Sequence, residues 1–88
     1  MAKQTKQSEA ASHIRELLLK QGFDIPSCNI TLEGDQRWMV FEHKQRQIGI
    51  DSASGIWVKT LTSDWRCLSM PATISGAVMA VDFLLKEQ

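Results

Sequence analysis

The chain has 88 residues, 43% of them hydrophobic, and its ten basic and ten acidic side chains leave a formal charge of zero. A chain this short supports one hydrophobic core and not two. Its apolar share and balanced charge give no bulk sign of disorder or of a polyanionic partner, so binding to nucleic acid would need a local basic patch.

Residues 1 to 7, rich in Lys and Gln, read as a mobile N-terminal arm ahead of a single α+β domain over residues 8 to 88. Ser8 is the expected N-cap of a first helix, with Ala10, Ile14, Leu17 and Leu18 on one side at helical spacing. Gly22 is the matching left-handed stop, and Phe23 is placed to pack back on Leu18.

A run of turn-punctuated strands follows over residues 29–70. Gly34 and Asp35 suit a two-residue turn that pairs Leu32 with Arg37 and Ile30 with Met39. Ile30, Leu32, Met39 and Phe41 then share the core face, and Trp38 and Val40 the opposite one. A two-residue turn at Lys44-Gln45 or at Gln45-Arg46 adds Ile48 and Ile50 to the core face and turns Gly49 outward. A three-residue loop Ala53-Ser54-Gly55, with Gly55 left-handed, pairs Ile50 with Val58 and points Trp57 outward, opposite Asp51. A four-residue loop would reverse that facing.

The last strand, residues 65–70, is open in its facing. A two-residue turn at Thr62-Ser63 buries Trp65 and Cys67, whereas a three-residue turn buries Leu68 and exposes Trp65. After Pro71, Thr73 or Ser75 caps a final helix whose Ile74, Ala77, Val78, Val81 and Leu85 are expected to face the sheet. Gly76, Met79, Ala80 and Phe83 make its far side apolar as well, which calls for cover by the first helix or by a symmetry mate.

Chemistry is sparse. Cys28 and Cys67 show neither CxxC nor Cys/His ligand spacing, so no metal, disulfide scaffold or cofactor is expected. Cys67 and His43 are the most tempting nucleophile and base, but a meander separates their strands, and no catalytic residue is assigned. An enzyme would need a pocket joining at least two of His43, Cys67, Asp51 and Glu42. The SASG stretch lacks the glycines and following helix of a phosphate loop. No apolar run approaches the roughly 20 residues of a membrane span, and the polar N-terminus has no signal-peptide core, so a cytoplasmic protein without membrane contact is expected.

The order helix, antiparallel strands, helix resembles that of the double-stranded RNA-binding domain in topology alone. That family reads phosphates with lysines at the start of its last helix, and MPATISGAVMAV contains no basic residue. A sheet surface could still stack bases on Trp38 and Trp57 among Arg37, Lys44, Arg46, Lys59 and Arg66, but Glu33, Asp35, Glu42, Asp51 and Asp64 interrupt these cations.

The expected architecture is therefore a helix, an antiparallel meander of four or five strands, and a helix packed across the sheet. The expected function is a non-enzymatic interaction module that self-associates or serves as an accessory subunit. Its partner-binding residues would be Trp38, Val40, Gly49, Asp51, Trp57 and Lys59 on the outer sheet face. In that setting Asp51 either caps its own turn or orients a cation of the partner. Two alternatives stand beside it: a nucleic-acid-binding sheet face, and a three-layer monomer whose first helix covers the outer face.

Overall fold

A computed structural model describes residues 6–32 and 36–86. Helix α1 (Lys6–Lys20) leads into strands β1 (Cys28–Leu32), β2 (Gln36–His43), β3 (Arg46–Ile50), β4 (Ile56–Thr60) and β5 (Arg66–Ser69), and helix α2 (Ile74–Leu85) ends the fold. The strands form one antiparallel meander in the order β1-β2-β3-β4-β5. With α2 across the sheet, the expected single α+β domain is what the chain forms. Among the described residues no helix is long and apolar enough to cross a membrane.

Helix α1 starts at Lys6, ahead of the predicted cap, so residues 6 and 7 belong to the helix and not to an arm. Gln7 shows why: its amide donates to the carbonyls of Arg37 (2.8 Å) and Ile50 (2.9 Å), tying the first turn to the sheet. Residues 1–5 of the expected arm lie outside the described residues. The helix ends as predicted. Gly22 has φ 87, its N–H donates to the Leu19 carbonyl and that of Phe23 to the Leu18 carbonyl, which is the Schellman arrangement. Phe23 consequently packs half-buried on the core beside Leu18.

Both helices lie on one face of the sheet. Ala11, Ile14 and Leu18 of α1 and Ala77, Ala80, Val81 and Leu84 of α2 enclose Phe41, Ile48, Ile50, Ile56 and Val58 in a single core. The three-layer alternative, with α1 over the outer face, is thereby replaced by two layers.

One of the three predicted strand registers holds and two shift. His43 pairs with Arg46 across the two-residue turn Lys44-Gln45, which places Ile48 and Ile50 beside Phe41 and Met39 on the core face. Ile50 pairs with Ile56 and not with Val58, because the loop spans Asp51 to Gly55. The loop is longer than expected by two residues, which preserves the alternation, so Trp57 still points outward but opposite Gly49 instead of Asp51.

In the first hairpin Leu32 pairs with Gln36 and Ile30 with Trp38. That loop is longer by one residue, which flips β1: Ile30 joins the outer face, while Asn29 and Thr31 take the inner one and stay exposed. The proposed turn at Gly34 and Asp35 lies outside the described residues.

The facing of α2 also needs correction. Its buried stripe is Gly76, Ala77, Ala80, Val81 and Leu84, whereas Ile74 and Val78 are exposed. Bulk does not choose the buried side here; closeness does. A Cβ on Gly76 would stand 2.6 Å from Ser69 Cβ in β5, and small residues admit the helix to the crowded space between the sheet and α1. Thr73 is the N-cap, accepting from the Gly76 N–H at 3.0 Å. At the other end Arg46 donates to the Phe83 carbonyl (3.0 Å) with its guanidinium 4.6 Å from the Phe83 ring centroid, a cation at a helix C-terminus.

Lys44 adopts φ 56 in the turn between β2 and β3, a region costly for a residue bearing a Cβ. Lys44→Gly is expected to raise stability by about 0.5 kcal/mol once the added freedom of the unfolded chain is subtracted. Urea denaturation of the pair of proteins measures it.

Candidate functional site

The outer face is built around the absence of one side chain. At Gly49, in the central strand, a Cβ would approach Trp38 to 2.7 Å and Trp65 to 2.9 Å, so glycine lets two indoles close over β3. The Trp38 ring centroid is 5.2 Å from that of Trp65 and 5.7 Å from that of Trp57, both pairs tilted at 46°. Such tilted contacts suit the quadrupoles of aromatic rings.

The three indoles form a small apolar cluster of their own. Trp38 is 7% exposed and Val40 6%, although no other element among the described residues covers this face. The expected open patch of Trp38, Val40 and Trp57 is thus partly closed by its own members. Trp57 and Trp65 remain half-buried and form its accessible part, with Ile30 beside Trp38 and the exposed Cys28 and Cys67 at opposite edges.

Strand β5 brings Trp65 to the same face. Trp57 pairs with Cys67, and a bulge then shifts Ile56 to Ser69. Trp65 and Cys67 therefore face outward, and Leu68 packs against the core. This is the facing that a three-residue turn predicts.

Asp51 is buried, and both oxygens of its carboxylate are engaged. Oδ1 accepts from the N–H groups of Ala53 (2.9 Å) and Gly55 (2.7 Å), and Oδ2 from the Trp57 indole N–H (2.7 Å). One side chain thus closes the loop and fixes the indole. The turn-capping role holds, and three of the carboxylate's roughly four acceptor sites are taken within the domain. Gly55 serves proximity and not handedness: a Cβ there would meet Asp51 Oδ2 at 2.9 Å, while the left-handed residue is Ser54, at φ 61.

Asp51→Asn separates charge from shape. Its amide cannot accept from the indole and both backbone donors at once, and a loss of about 1.5–3 kcal/mol is expected. Urea denaturation, with the Trp57 indole N–H resonance as local reporter, measures this.

Lys59 places its Nζ 5.6 Å from the Trp65 centroid, and Gln47 donates to Glu42 at 3.3 Å. Along β2, β3 and β4 the outer face thus carries Glu42, Gln47 and Lys59 in one row. A shallow hollow of about 110 Å³ lies there, with Thr60 and Leu61 on its rim.

The helical layer has a separate apolar surface absent from the expected site. Ile74 (72% exposed), Val78 and Met79 run along the solvent side of α2. Its signal was present in a helix apolar nearly all round. Near its start, an open groove of about 360 Å³ lies between α1 and α2, lined by Glu9, His13, Ile56, Pro71, Thr73 and Ile74 among others. The Nε2 atom of His13 is sealed there without a hydrogen-bond partner. The groove's Thr73 and Ser54 hydroxyls are already engaged with Gly76 and Ala53.

The nucleophile and base considered from sequence do not meet. Cys67 pairs with Trp57 on the outer face, whereas His43 follows Phe41 on the inner one and packs edge-on against Phe23 at 5.2 Å. Among the described residues no group of three or more His, Cys, Asp and Glu side chains could hold a metal ion. Comparison with family models, curated proteins and solved structures finds no match to this chain.

Proposed function

We propose that this domain is a non-enzymatic interaction module, a small subunit that docks through its outer sheet face. The observation that carries the reading is the indole cluster itself, with half-buried Trp57 and Trp65 at the centre of a face that neither helix covers. Aromatic side chains at the middle of a surface contribute disproportionately to binding. Polar groups around them are few among the described residues: Glu42, Gln47 and Lys59 form the row on one side, and Asp51 is engaged with its own loop and Trp57.

Base stacking is the second reading, supported by the same indoles. It is disfavoured by charge. A single-stranded nucleic acid needs a cationic track along its backbone, and the described part of this face offers Lys59 in one row with the acidic Glu42. Arg66 pairs with Val58 and Arg37 precedes Trp38, so both belong to the inner alternation.

The test places a long charged side chain on the exposed edge of the patch. Cys67→Arg should leave the melting temperature within a few degrees of the parent, because Cys67 is exposed and packs nothing into the core. Stoichiometric association, with itself or with a protein co-purifying from its native cell, should be lost. Undiminished association of the folded variant would refute the outer face as the docking surface.

A further inference from the structure

We infer that the occupant of the outer face is a second copy of this chain, stacked sheet on sheet about a two-fold axis running along β3. The inference rests on the interaction-module reading and adds the partner and its orientation.

The register sets out the face as rows. At the level of Gly49 the side chains read Cys28, Val40, Gly49, Trp57 and Cys67 from β1 to β5. The next row toward the β2–β3 turn reads Glu42, Gln47 and Lys59 on β2, β3 and β4. Because the sheet has five strands in sequential order, β3 is its midline. A two-fold axis along that midline lays β2 of one copy over β4 of the other, and β1 over β5.

Charge then selects this orientation. Glu42 stands opposite Lys59 of the second copy, and the same contact is made twice, as an isologous interface requires. Gln47 meets Gln47 between them, and Trp57 of each copy covers Val40 of the other. A two-fold axis across the strands would instead lay each strand on its own counterpart, bringing Glu42 over the row of Trp38 and removing it from water without a cation. Unpaired buried charge is costly and works against that alternative. Paired sheets stack about 10 Å apart and are rotated by about 30°, which inclines the axis from β3 by half that angle and displaces residues near the midline little. Both members of the ion pair lie one strand from it.

The edges of the row supply the readout. Within one copy Cys28 and Cys67 are separated by four strand spacings, about 19 Å. In the stacked pair Cys28 lies over Cys67 of the second copy. A short bismaleimide that cannot bridge the intramolecular span should therefore yield a covalent dimer whose linked peptides contain Cys28 and Cys67. Cys28→Ser or Cys67→Ser should each abolish the link.

The decisive experiment joins this cross-linking to light scattering after size exclusion and to a charge swap. The parent should be dimeric. Lys59→Glu should weaken self-association by about tenfold or more, and Glu42→Lys added to it should restore association, because the pair is re-formed with its signs exchanged. Three results would overturn the inference: a monomer up to millimolar concentration, a cross-link joining Cys28 to Cys28, or no recovery in the swapped double variant. If the purified parent is monomeric while Cys67→Arg still strips a different protein from it, the second copy is excluded and the docking face stands. If Cys67→Arg strips nothing, the docking face itself falls.

Discussion

Val81→Asp should abolish the folded state. Val81 is 1% exposed in the middle of α2, within the stripe that contacts the sheet. An unpaired carboxylate buried there costs several kcal/mol, against a typical domain stability of roughly 5–15 kcal/mol. The matched control is Val78→Asp, the same change one turn earlier. Val78 is exposed, so that variant should remain folded with a shift of roughly 0.5 kcal/mol. Circular dichroism and the dispersion of amide resonances distinguish the two. Equal tolerance, or equal unfolding, would mean that α2 is rotated from the facing described.

Trp38→Ala should be nearly as damaging, although Trp38 lies on the face away from the helices. Its ring touches both other indoles and closes over Gly49, and its removal leaves a cavity beneath them. Truncating a buried aromatic side chain costs roughly 3–5 kcal/mol. Trp65→Ala should cost less, since that ring is already half-exposed. A double-mutant cycle on Trp38 and Trp65, followed by urea denaturation, should return a coupling of about 0.5–1.5 kcal/mol. If Trp38→Ala kept full stability at low protein concentration, Trp38 would be surplus to the monomer and the cluster would serve binding alone.

Architecture was legible because it rests on periodicity and punctuation. Gly22 with Phe23 marked the end of α1, Lys44-Gln45 was among the turns foreseen, and the alternation Phe41, Ile48, Ile50, Val58 defined the core face. Facing failed where one residue decides it. The extra residue before Gln36 sent Ile30 outward, and a two-residue error at Asp51 to Gly55 passed harmlessly because a strand repeats every second residue. In α2 the eye follows Ile74 and Val78, but the helix follows the space available to Gly76, Ala77 and Ala80. The outer indoles were visible as surplus hydrophobes. Their mutual contact was not, since Trp65 reaches the cluster through a turn whose length the residues leave open.

The pairing of the first helix with the last has a consequence for synthesis. Every strand neighbours the next in the chain, so the sheet can assemble hairpin by hairpin as the polypeptide emerges. Helix α1 cannot settle so early, because its main contacts are with α2. Until residues 74–85 leave the ribosome, Ile14 and Leu18 have no complete site to enter, and the inner face of the sheet stays wet. The first helix is thus held in waiting for the last, and that interval leaves the inner face of the sheet exposed to aggregation or to a chaperone.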